Sequence, residues 1–284
     1  ASTTGFRISS GTSCTSRSPG PRVRNVAYWR VVAIRLALLA AFVAAWQYAS
    51  GPLVKPFWIS SPAAIARYLA ENFENGEIWR HTVPTLYAAG VGFAWGSVLA
   101  VAAGFVLGRF EQAWRIAEPF LMAIQGIPKI ALAPLFIIWF GIGITSKIVL
   151  VSLIVFFLVF FNVLGGVKSV SHDLKNTMRL MGASELETLR KVILPATLPW
   201  IFVGLRVSIP NAMIGAVVGE FMAASRGLGY SIQLHTSRFD ITASLALVAI
   251  IMAVVIACTA LLGRIESWVL RWRPKIGNQS GSAL

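Results

Sequence analysis

M-G-A-S-E-L-E-T-L-R-K-V-I-L-P, residues 181–195, is a polar stretch with helical periodicity inside a very apolar chain. Leu186, Leu189 and Ile193 recur at the three- and four-residue spacing of one helix face, while Glu185, Glu187, Arg190 and Lys191 occupy the rest. Gly182 precedes the pattern and Pro195 and Pro199 follow it. The pattern therefore predicts a short amphipathic helix that stops before the next apolar run begins.

Outward from it, apolar runs near the roughly 20 residues a membrane-spanning helix needs occur at 31–50, 85–108, 117–141, 147–167, 199–222 and 242–263. Six spans follow, so the fold is an all-α polytopic membrane protein. With 56% hydrophobic and 13% charged residues and a mean hydropathy of +0.72, the chain falls outside the soluble globular class. The net charge of +14 does not point to nucleic acid, because Lys and Arg are spread over the gaps between apolar runs.

Their asymmetry sets orientation. Arg109, Arg115, Lys168, Lys175, Arg179, Arg190, Lys191, Arg264 and Arg271 fall with both termini on one side, which the positive-inside rule makes cytoplasmic. The opposite side holds Lys55, Arg67, Arg80, Lys147, Arg226 and Arg238. Between the first two spans, Ser61 as N-cap, Pro62 in the first turn and Asn75-Gly76 as the stop predict an external amphipathic helix. Four segments result: a disordered cytoplasmic tail at 1–28, the first span and external helix at 29–80, a core at 81–265 with its cytoplasmic loop at 168–199, and a cytoplasmic tail at 266–284. The 1–28 tail is not read as a cleaved signal, since the run from Val31 is long enough to stay in the bilayer.

Two spans carry special features. Ala88, Gly92, Gly96, Ala100, Gly104 and Gly108 recur every four residues, laying a smooth groove for close helix packing. Pro119, Gly126, Pro128 and Pro134 interrupt the third span, and irregular backbone at membrane depth is tolerated where it is buried or lines a wet cavity. Pro128, Lys129 and Pro134 are thus candidate wall residues of a permeation path, and Glu220 joins them as an ionisable group in a span. A lone cation at Lys129 would favour an anionic solute. Arg35 and Arg206 are close enough to span ends to snorkel.

Other chemistry has little support. The three histidines have no metal-ligand spacing, and Cys14 and Cys258 lie in different environments, so neither a metal nor a disulfide is expected. G-I-G-I-T-S-K, residues 141–147, does not have the glycine a phosphate-binding loop needs before its lysine, so no ATP site is expected.

Gly182, nine residues, then Val192, Leu194 and Pro195 resembles the signature loop of ABC importer permeases, E-A-A-x-x-x-G followed by nine residues and I-x-L-P. Asn176, Thr177 and Met178 replace the E-A-A, so the charge of the Glu is missing. H-T-V-P-T-L at 81–86, I-P-K-I-A-L-A-P-L-F-I-I-W-F-G-I-G at 127–143, G-L-R-V-S-I at 204–209 and E-F-M-A-A-S-R-G-L-G-Y at 220–230 extend the likeness over about residues 62–272. Together they resemble the nitrate/sulfonate/taurine group.

The resemblance implies a type I importer permease: a first helix ahead of a five-helix core, in a bacterial inner membrane. It also implies a loop docking on an ATPase through Gly182, Ala183, Leu186, Leu189, Val192, Leu194 and Pro195. Implied partners are a second permease, as a homodimer, two copies of a cytoplasmic ABC ATPase carrying the ATP and Mg, and an external solute-binding protein. This chain itself would bind no cofactor and catalyse no reaction. The solute would be a small sulfonate, taurine, nitrate or a related anion. The rivals are a membrane enzyme, for which the spans offer no polar cluster, and a stand-alone channel or secondary carrier, which has no use for a docking helix.

Overall fold

The computed structural model describes residues 21–51, 58–222 and 224–272, with side chains from Arg30 onward. Residues 1–54 and 55–284 form two separate compact units. The first holds α1, Pro21–Ala49. It starts inside the segment expected to be a disordered tail. Proline is tolerated in a first turn, and neither Gly nor Pro interrupts residues 22–49, so each added residue extends the helix at little cost. Residues 1–20 of that tail, with Cys14, and 273–284 of the other lie outside the described residues.

The second unit is built around α6, Ile144–Lys168, which packs between α3, Glu77–Arg109, and α9, Leu194–Met222. On α6, Val151, Val155, Val159, Val163 and Val167 are all buried at four-residue spacing. They meet the groove on α3. A Cβ added at Gly92 would sit 2.6 Å from Val151 Cβ, at Gly104 2.8 Å from Val163 Cβ and at Gly108 2.8 Å from Val167 Cβ. A stiff valine ridge thus fills a groove without side chains, and the helices approach until backbone nearly touches backbone. Ser152 Oγ donates to Gly92 O across the seam at 3.1 Å.

The third span is broken, as its prolines predict. α4, Glu111–Gly126, and the segment Lys129–Phe140, a single 3-10 turn followed by α5, Ala133–Phe140, are bent by 81°. Ile127 precedes Pro128 and is forced extended, φ −71°, ψ 130°, which ends α4. Pro119 sits inside α4 and Pro134 in the first turn of α5, where neither breaks the chain. Counting the bent pair as one, the described residues hold six helical segments long and apolar enough to cross a membrane.

α2, Pro62–Glu74, forms where expected: Ser61 Oγ accepts from Ala64 N at 3.1 Å, and Gly76, at φ +74°, separates it from α3. Instead of resting on the membrane surface alone, it packs with Ile65 buried against α11, Ile241–Val269, and α3. α11 runs four residues into the segment expected to be the last tail and ends at Val269. Cys258 on α11 is unbridged.

Candidate functional site

Loop 168–199 contains α7, His172–Leu180, and α8, Glu185–Thr188. Asn176, Thr177 and Met178 lie within α7. Gly182 stops that helix at φ +78°, a left-handed conformation that suits glycine. Its N–H bonds to Arg179 O, and Ala183 N–H to Met178 O, both at 3.0 Å, which makes a Schellman stop. Ser184 restarts the chain. Its Oγ accepts from Glu187 N at 3.2 Å, and its N–H donates to Glu187 Oε2 at 2.9 Å, a capping box. The Ser184 N–H and then Lys191, at 3.0 Å, hold the Glu187 carboxyl down to about 2. The spacing of the signature is thus a stop and a start two residues apart.

The loop is braced from outside itself. Glu185 accepts from Arg109 at the end of α3 and from Arg179 of α7 at 3.1 Å. Lys168 Nζ lies 4.1 Å over the ring of Trp114, which is buried. Leu180, Met181 and Leu186 stand out from this frame, 88%, 78% and 61% exposed.

Two expectations for the loop are corrected. Pro195 and Pro199 do not stop its helix: residues 189–193 form a π turn that runs into α9, and the helix is continuous over Glu185–Met222. The wider turn places Leu194-Pro195 at the start of a new α register, where the missing N–H of proline is least costly. It also rotates the face. Leu186 points outward while Leu189 is half-buried and Ile193 buried against the core, so the three do not share one surface. Ala183, Val192 and Pro195 are half-buried and Leu194 is exposed.

At the bend of the third span, Lys129 Nζ donates to Gln125 O at 3.0 Å and lies 4.8 Å from the centre of the Phe157 ring. Lys129 borders a cleft of about 200 Å³ together with Gln125, Ile154, Phe157, Asn211 and Ile214. Pro128 and Pro134 shape the break without lining this cleft.

Glu220 is elsewhere. It is 0% exposed, and its carboxylate accepts from Thr85 Oγ1 and Gly229 N, each at 2.9 Å, with Lys147 Nζ at 3.8 Å. Thr85 Oγ1 accepts from Leu228 N at 2.8 Å, and His81 Nδ1 from Gly227 N at 3.2 Å. A Cβ on Gly227 would collide with the Glu220 carboxylate, and one on Gly229 would lie 2.9 Å from Glu220 Cβ. This closed knot fastens the start of α10, Leu228–Ser237, to α3, α6 and α9. Glu220 is therefore a structural anion and not part of the cleft. Among the described residues no group of three or more His, Cys, Asp or Glu side chains could hold a metal.

The family model of the binding-protein-dependent transport system inner membrane component matches residues 92–271. The chain belongs to that family. The permease is 32% identical over 230 residues to the formylaminopyrimidine transport permease protein ThiX of Halalkalibacterium halodurans, covering 81% of this chain and 92% of that one. It is 30% identical over 250 residues to the taurine transport system permease protein TauC of Escherichia coli, covering 84% and 90%. A chain from the inward-facing MetNI methionine ABC transporter matches with a TM-score of 0.60 at 20% identity, over 67% of this chain and 94% of that chain, a likeness of fold. The permease is accordingly a membrane-spanning transport subunit of an ABC importer, and the resemblance seen in its motifs is borne out.

Several residues of the permease escaped sequence reading. Lys147 counts by position as an external loop charge, yet it is buried beside Glu220. Arg206 does not merely snorkel but pairs with Glu266 of α11. His81, Thr85, Gly227 and Gly229 stand in the two motifs that carry the family likeness, H-T-V-P-T-L and E-F-M-A-A-S-R-G-L-G-Y. Those motifs were the available signal, but only the folded chain shows them meeting.

Proposed function

We propose that two copies of the permease form the path for a small sulfonate or related anion, with both termini cytoplasmic, and that loop 168–199 of each seats on a separate ATPase. An external binding protein delivers the solute, ATP and Mg reside on the ATPase, and this chain holds no cofactor. One observation carries the reading: Leu180, Met181 and Leu186 are exposed apolar side chains on a polar loop that is capped at both turns and braced by Arg109 and Arg179. Such side chains in water favour a partner, and a rigid support loses little entropy when one docks. A channel or secondary carrier has no use for this surface. ATP-driven closure of the ATPases would move the docked loops, and the helices would alternate between inward and outward openings.

Gly182→Ala tests this. Left-handed backbone costs a residue with a Cβ roughly 1–2 kcal/mol, enough to displace the loop without removing a span. The variant permease should insert normally and yet lose coupling between ATPase activity and uptake. Normal coupled uptake would sink the assignment, and so would purification of the native permease without its ATPase.

A further inference from the structure

The cleft at the broken span holds a lysine with no carboxylate at ion-pair distance. Arg109 pairs with Glu185, Lys147 with Glu220 and Arg206 with Glu266, whereas Lys129 reaches a backbone carbonyl and an aromatic face. Those contacts orient its ammonium and leave its charge uncancelled. An unneutralised charge in a span is costly, and a break in a helix is where such a charge meets a solute.

The surroundings have matching chemistry. Asn211 Nδ2 donates to Val207 O at 2.8 Å, which leaves its second N–H for another acceptor. Ile154 of α6 and Ile214 of α9 supply apolar walls, and Phe157 closes one side. Polar groups thus gather at the bend and hydrocarbon lines the rest.

We infer that this cleft is a solute-binding station for an organic anion. The oxyanion head sits on Lys129 and the free amide N–H of Asn211, and a short hydrocarbon portion lies between Ile154 and Ile214. The station selects an organic sulfonate over nitrate, which has no apolar part to bury against these walls. The inference rests on the permease being an anion importer, but it does not depend on how the loop docks.

The test uses the full chain in nanodiscs without ATPase, so loss of docking cannot affect it. With Cys14→Ser and Cys258→Ser as background, Ile130→Cys, which borders the cleft, is reacted with N-ethylmaleimide. Ethanesulfonate and nitrate are added at matched ionic strength. Ethanesulfonate should slow the reaction while nitrate does not. In Lys129→Met the ethanesulfonate concentration for half-protection should rise about tenfold or more, the effect of losing one charge-assisted contact. Lys129→Arg should retain protection. Absence of protection by ethanesulfonate, equal protection by nitrate, or undiminished protection in Lys129→Met overturns the proposal. If Lys129→Met does not elute as a folded species, Lys129→Gln serves in its place, and the ethanesulfonate and nitrate arms on the Lys129 protein decide the matter without either variant.

Discussion

Gly104→Ala adds one carbon to the seam between α3 and α6, and the structure sets the size of the effect. The new Cβ would lie 2.7 Å from Val163 Cγ1 and 2.8 Å from Val163 Cβ. Carbon atoms rest about 3.5–4.0 Å apart, so roughly 1 Å must be found. Rotating Val163 cannot supply it, because its Cβ is fixed by the backbone and its rotamer by the helix. The two helices must separate, and that loosens the same seam at Gly96 and Gly108. Overpacking of this kind costs about 1–3 kcal/mol. Against it, alanine favours a helix over glycine by about 1 kcal/mol. Gly90→Ala is the internal control, since it lies on the same helix and its Cβ would meet nothing within 4 Å. Gly104→Ala should therefore be less stable than Gly90→Ala by about 1–3 kcal/mol, the overpacking term alone. Fluorescence-detected gel filtration of the detergent-solubilised variants after graded heating measures the difference. If Gly104→Ala survives heating as well as Gly90→Ala, the ridge-in-groove account of this seam is wrong.

Three further outcomes follow from the capping box and the knot. Glu187 is held at about 2 against an ordinary value of 4.5, so its bonds contribute fully above about pH 4.5 and are lost as pH falls toward 2; amide exchange at 185–188 should rise over that window, and Glu187→Gln should flatten the response. Ser184→Ala should raise exchange at 185–188 already at neutral pH, by the roughly 1 kcal/mol a lost N-cap costs. Glu220→Leu should lower the yield of folded permease by stranding the Lys147 ammonium, a loss of about 3–5 kcal/mol, and adding Lys147→Met should recover part of it; no recovery in the double variant would count against the ion pair.

The spans, the groove on α3, the Ser61 cap and the break at Pro128 were legible in the sequence because each follows from local periodicity or backbone sterics. Glu220 was legible only as an ionisable group in a span, since nothing local brings Lys147 of another helix, 73 residues away, to its carboxylate. Local rules also place a stop at Pro195. Burial of Ile193 and Thr197 against the core overrides them, and the backbone absorbs the proline in a π turn. The valine spacing of α6 can be read from its letters, but which groove receives it depends on topology.

The continuous helix from Glu185 to Met222 makes the exposed loop and the far side of the molecule two ends of one rod. At 1.5 Å per residue, Glu185 and Glu220 are separated by about 50 Å along its axis. A rod of that length pivoting near its middle converts a tilt of a few degrees at one tip into an opposite swing of an ångström or more at the other. Asn211 of the cleft and Glu220 of the knot ride on the far arm. Pro199 and Pro210, which each remove a rung from the ladder of helix hydrogen bonds, are the points at which such a lever would flex and spend its stroke before it arrives.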